Sequence, residues 1–141
     1  MIPLRMLLIT IFIVGIECAP FNKENVDEIR KKCKLETGMD GAILDKISLK
    51  QKLPEPTETY LKYIECSYKN QGFLNGEDHI VFESIKEMLE TFYPSTDLDA
   101  ILERCKAEQQ GLNIPAERAY KAARCIINGL HIYEESISNN I

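Results

Sequence analysis

Tryptophan is absent from the 141 residues and aromatic side chains make up only 8%. That is too little flat ring surface for a platform on which nucleic-acid bases stack. Positive charge is also short, with 17 Lys+Arg against 22 Asp+Glu and a net charge of −5. A phosphate backbone or an anionic membrane patch needs the opposite balance. Seven glycines and six prolines are too few for a fibrous repeat, and 45% hydrophobic content is too high for a disordered chain. Catalytic motifs are missing as well. Histidine occurs only at His79 and His131, and there is no Gly-x-Ser-x-Gly, His-Glu-x-x-His or glycine-rich phosphate loop. Glu77, Asp78 and His79 are consecutive, and three neighbours in one turn wrap a metal ion poorly. The sequence therefore reads as non-enzymatic, with no metal, no cofactor and no nucleic-acid partner.

What is present begins with the N-terminus. Arg5 precedes an apolar run from Met6 to Ile16, interrupted only by Thr10 and Gly15. Such a run fits the apolar stretch of a signal peptide and is too short to cross a bilayer as a helix. Cleavage after Ala19 would leave Pro20 first, so the expected cut follows Cys18. That divides the chain into a signal at 1–18 and one extracellular domain at 19–141. One Arg and one Glu leave with the signal, so the net charge is unchanged. Four of the five cysteines remain: Cys33, Cys66, Cys105 and Cys125. An even set in a secreted chain predicts two disulfides, with three pairings open. No Asn-X-Ser/Thr acceptor occurs, so N-glycosylation is not expected.

Apolar residues recur at helical spacing throughout the mature chain, and no segment alternates as a strand. Asn22 or Asn25 can cap a first helix with Val26, Ile29 and Cys33 on one face, ending at Gly38. Asp40 starts a second, and Pro54 and Pro56 force an extended connector. Thr57 opens a third helix with Tyr60, Leu61, Ile64 and Tyr68, stopped by Gly72. Asn75-Gly76 is a turn. Val81, Ile85, Met88, Leu89 and Phe92 mark a fourth helix ending at Pro94. Ser95 or Thr96 caps a fifth through Leu98, Ile101, Leu102 and Cys105. Pro115 opens a sixth, expected to end at Gly129 before an apolar tail. The expected fold is all-α: six short helices of 9 to 15 residues around a central apolar cavity, two disulfides and a C-terminal tail.

The cysteine spacing, together with the runs YLKYIECSYKNQGFLN and PAERAYKAARC, resembles the insect odorant-binding proteins, the pheromone and general odorant-binding family. That family usually has six cysteines, with a Cys-x3-Cys pair in the third helix and a Cys-x8-Cys pair in the last. Cys66 and Cys125 match the second member of each pair. The first members fall at Lys62 and Ala116, which in the family bond to each other. Their joint absence matches the minus-C, four-cysteine subclass. The resemblance spans roughly Val26 to Ile127. It implies the pairing Cys33–Cys66 and Cys105–Cys125, each contributing about 3 to 4 kcal/mol through loop entropy. It also implies freer motion between helices three and six.

Most of the apolar stripes serve as core. Where the resemblance and the chemistry coincide, Tyr68, Phe73, Ile80, Met88, Phe92, Tyr120, Ile126 and Ile127 are candidate ligand-lining residues, with Tyr133 from the tail. Tyr68 and Tyr120 can offer a hydroxyl to a ligand oxygen. The resemblance implies that the tail, with Leu130, Ile132, Tyr133 and Ile137, folds over the cavity as a wall or lid. The implied function is a secreted carrier of a small apolar ligand, as a monomer or weak homodimer, with a membrane odorant receptor as a further partner. A secreted helical signalling protein would share the two disulfides but expose an apolar patch. A venom or salivary relative would keep the frame and serve another role.

Overall fold

A computed structural model describes residues 23–50 and 53–139, with side chains described at 25–47 and 53–132. The expected signal at 1–18, and Asn22 as a cap, lie outside the described residues. Six helices follow in order: α1 Lys23–Thr37, α2 Gly41–Lys50, α3 Glu58–Gln71, α4 Phe82–Phe92, α5 Leu98–Gln109 and α6 Pro115–Asn139. Among the described residues there is no strand, only an isolated antiparallel bridge from Leu74 to Ile80. No helix of the described residues is long and apolar enough to cross a membrane.

The boundaries follow from local chemistry. Gly38 and Gly72 take φ values of 73° and 80°, the left-handed conformation that ends a helix and suits a residue without Cβ. Asp40 Oδ1 accepts from the Ala42 N–H at 2.9 Å and starts α2. Thr57 Oγ1 accepts from the Tyr60 N–H at 3.2 Å and starts α3. α5 departs from expectation: its cap is Asp97, whose carboxylate accepts from the Ala100 N–H, rather than Ser95 or Thr96. An anion directly before Leu98 also suits the positive end of the helix. Asn25 lies within α1 rather than capping it.

The larger correction concerns Gly129. α6 passes through it and runs for 25 residues, so the last helix is not short and the chain after Gly129 is helical rather than an irregular tail. The glycine is there for a different reason. A Cβ at this position would stand 2.8 Å from Ile101 Cγ2 and 3.1 Å from Arg104 Nη2. Close approach of α5, not a helix stop, selects the residue.

α6 is the shared element, packing against both α5 and α3, while α3 also packs on α1 and α5 on α4. Each outer pair is stapled or pinned. Cys33–Cys66 joins α1 to α3 and Cys105–Cys125 joins α5 to α6, with Cα separations of 5.7 and 5.5 Å. This is the pairing the resemblance implied. Lys86 pairs with Asp99 at 2.9 Å between α4 and α5, and Arg30 with Asp45 at 2.6 Å between α1 and α2. Both ion pairs are exposed and contribute little.

The apolar interior forms two clusters. One gathers Phe73, Ile85, Leu89, Leu98, Leu102, Cys105, Cys125, Ile126 and Leu130. The other gathers Met39, Leu44, Tyr60, Ile64 and Ala119. Two half-buried residues, Tyr68 and Ile80, pack against both. Tyr68 and Ile80 thus form the junction between the two clusters.

Candidate ligand-binding site

Helical periodicity on α3 places Tyr60, Ile64 and Tyr68 on one face, four residues apart. The apolar stripe of α4 adds Met88 to the first cluster, and α6 adds Tyr120 to the second. Around the junction the rings touch in sequence. Tyr68 meets Phe73 edge-on at 5.5 Å between centroids, while Tyr60 meets Tyr120 edge-on at 5.9 Å and stacks on Tyr63 at 6.1 Å. Edge-to-face contacts of this kind hold ring planes in fixed orientations.

The hydroxyls on these rings have different situations. Tyr120 donates to the Pro54 carbonyl at 2.9 Å, tying α6 to the proline connector before α3. Among the described residues, the Tyr60 and Tyr68 hydroxyls have no hydrogen-bond partner, yet no buried side-chain polar atom lacks one. Both oxygens therefore keep a little accessible surface. Burial pushes both phenols well above the ordinary tyrosine value, and for Tyr68 the neighbouring Tyr60 pushes the same way. Both stay neutral at any physiological pH. Burial also raises Tyr63, against the opposing influence of Arg30, and raises Tyr120, against Arg124. The chemistry on offer is apolar contact plus neutral hydrogen bonding.

The candidates named from sequence are distributed unevenly. Tyr68, Ile80, Met88 and Tyr120 are half-buried around the two clusters, whereas Phe73 and Ile126 are fully buried in the first. Ile127 is half-buried and belongs to neither cluster. Phe92, the last residue of α4, is 57% exposed although it continues the Ile85 face. Tyr133 continues the α6 backbone, and its side chain lies outside the described residues. Within the expected lid, Leu130 is core while Ile132 is 59% exposed; Ile137 lies outside the described side chains.

Sequence reasoning took Tyr60 as core and did not name it for the site, although it sits two turns before Tyr68 on the same stripe. Expecting the Tyr120 hydroxyl to be available also missed its bond to Pro54, 66 positions away. His79 is exposed in its loop, and its Nδ1 lies 3.2 Å from Arg118 Nη1. No group of three or more potential metal ligands occurs among the described residues.

Two staples, a shared last helix and neutral phenols between two apolar clusters define a class: a small, disulfide-framed helical domain. The pattern of the PBP/GOBP family matches residues 18–129, and the chain belongs to that family, the insect odorant-binding proteins. General odorant-binding protein 69a of Drosophila melanogaster is 27% identical over 126 residues, covering 87% of this chain and 82% of that protein. No solved structure matches. The family is one of odorant carriers, not of enzymes.

Proposed function

We propose that this chain is a secreted carrier that encloses a small, neutral, largely apolar molecule bearing one hydrogen-bonding oxygen. The observation that carries the reading is Tyr68, which packs against both clusters and whose hydroxyl has no partner among the described residues. Tyr60, on the same helix face, is the second available donor. Family membership and the odorant-binding name of the Drosophila relative support carriage of an odorant-type ligand. A ligand hiding about 200–300 Å² of apolar surface gains about 5–8 kcal/mol before association entropy is subtracted, which points to micromolar affinity.

Displacement of N-phenyl-1-naphthylamine by a medium-chain aldehyde and by a hydrocarbon of equal length tests this. A single neutral hydrogen bond contributes about 0.5–1.5 kcal/mol, so Tyr68→Phe weakens the aldehyde about two- to twelve-fold and leaves the hydrocarbon unchanged. Equal effects on both ligands would remove Tyr68 from its role as oxygen donor. A folded protein that takes up neither ligand nor probe would end the carrier reading.

A further inference from the structure

The two disulfides sit in different surroundings. Cys105 and Cys125 are both buried within the first apolar cluster. Cys33 is fully buried as well, but its partner Cys66 is only half-buried. A thiolate breaks a disulfide by attacking one of its sulfurs, so that sulfur must be reachable from outside. Of the four bonded cysteines, Cys66 is the one that meets this condition.

Two polar side chains lie close to Cys66 Sγ, and a third ties them together. Glu36 Oε2, from the last turn of α1, stands 3.3 Å from the sulfur. A bonded sulfur carries no proton, so this contact sets a carboxylate against the sulfur without a hydrogen bond between them. Asn70, one turn further along α3, donates from Nδ2 to the Cys66 carbonyl at 2.8 Å. The same nitrogen lies 3.6 Å from Cys66 Sγ and 3.9 Å from Cys33 Sγ. Lys32 donates to Asn70 Oδ1 at 3.0 Å and pairs with Glu36 at 4.0 Å. The carboxylate thus touches the reachable sulfur, while the ammonium acts on it through Glu36 and Asn70.

We propose that Cys66 Sγ is a thiol-exchange site that selects small thiols by charge through Glu36. An external thiolate forms a bond to Cys66 Sγ as the Cys33–Cys66 bond breaks, and the electron pair leaves on Cys33 Sγ, towards the Asn70 amide. A second external thiolate then attacks the outer sulfur of this mixed disulfide, and Cys66 leaves as a thiolate. Two external thiols are oxidised to one disulfide, the protein bond is reduced, and the two protons they release end on Cys33 and Cys66. Glu36 repels an attacker more strongly the more negative it is, and attracts an ammonium carried on it. Opening the bridge unfastens α1 from α3, while Cys105–Cys125, with both residues buried, keeps α5 on α6. The site does not depend on which ligand the chain carries.

The test uses the full mature chain without denaturant at low ionic strength. Cysteamine, 2-mercaptoethanol and 2-mercaptoethanesulfonate are the probes, with rates compared per thiolate and products trapped by alkylation and located by mass mapping. Cys33–Cys66 should open first, at a rate linear in thiol, with the external thiol on Cys66, the free thiol on Cys33, and Cys105–Cys125 still closed. Cysteamine should outpace the sulfonate. Glu36→Gln should speed the sulfonate about five-fold and cysteamine less, because a unit charge a few ångströms from the attacking sulfur is removed. Added salt should narrow the same gap, and Lys32→Gln should widen it. Glu87→Gln, which neutralises an exposed carboxylate on α4, should leave the gap unchanged. All three substitutions are at exposed positions, and helical circular dichroism verifies that the fold is kept. A mixed disulfide on any other cysteine, loss of both bridges together, or a rate independent of thiol concentration would overturn the site. Equal responses to Glu36→Gln and Glu87→Gln would overturn the charge selection.

Discussion

Replacing Gly129 with alanine sets two opposing effects against each other at one helix position. In an unencumbered helix interior, alanine is better than glycine by about 1 kcal/mol, because glycine loses more backbone freedom on folding. Here the added Cβ would stand 2.8 Å from Ile101 Cγ2, 3.3 Å from Ile101 Cγ1 and 3.1 Å from Arg104 Nη2. The Arg104 head is exposed and can swing away. Ile101 is β-branched, half-buried and packed against the first cluster, so its side chain moves only by leaving its rotamer or by pushing α5 outward. Overpacking of this kind costs about 1–3 kcal/mol. The net expectation is destabilisation of up to about 2 kcal/mol, read as a lower urea midpoint at unchanged m-value. A double-mutant cycle separates the terms. With Ile101→Ala in the background the obstruction is gone, and Gly129→Ala should then stabilise by about 1 kcal/mol. If Gly129→Ala stabilises the wild-type background by that same amount, α5 does not press on Gly129 and the reasoning fails.

Removing Cys33–Cys66 or Cys105–Cys125 by paired alanine substitution should cost about 3–4 kcal/mol each by the loop-entropy model, measured by chemical unfolding under oxidising conditions. Tyr120→Phe deletes the bond to the Pro54 carbonyl and should destabilise by about 1 kcal/mol, with faster amide exchange in the connector at 53–57 as the local readout. The raised phenols of Tyr60 and Tyr68 give a pH signature. In the unfolded chain they ionise near 10.0, whereas in the folded protein they hold their protons to higher pH. The unfolded state thus binds fewer protons above pH 10, and stability should fall as pH rises beyond that value. Ultraviolet titration should accordingly show tyrosines that ionise only as the protein unfolds; full titration near pH 10 with the fold intact would contradict their burial.

Much of the architecture was legible because its signals are local. Thr57, Gly38, Gly72 and Pro115 mark helix ends through side-chain or backbone chemistry that acts within a few residues, and the structure places ends at each of them. Gly129 misled for the same reason. A glycine late in a helix looks like a terminator locally, while its actual cause is an isoleucine on another helix. Ser95 and Thr96 were plausible caps, but Asp97 directly abuts the first apolar residue and carries a charge.

The candidate site divides along the same line. Tyr68 and Ile80 could be singled out from stripes and family resemblance, and they turned out to bridge both clusters. Phe92 shares the α4 stripe in sequence with the buried Ile85 and Leu89, yet at the end of the helix it is exposed. Which phenol keeps a free hydroxyl was not legible: Tyr120 reaches Pro54 across 66 positions, and nothing near either residue signals the contact. The contact of Arg118 with His79 was invisible for the same reason, since the two lie 39 positions apart.

By itself the sequence determined the helical class, the two-disulfide frame through its family resemblance, and the acidic net charge, since periodicity, spacing and composition are properties of the chain alone. The tertiary structure decided the length of the last helix, the split of the core into two clusters, the identity of the available hydroxyls and the contact of Arg118 with His79. Each of these depends on which distant atoms share a few ångströms, and only the packed chain brings them together.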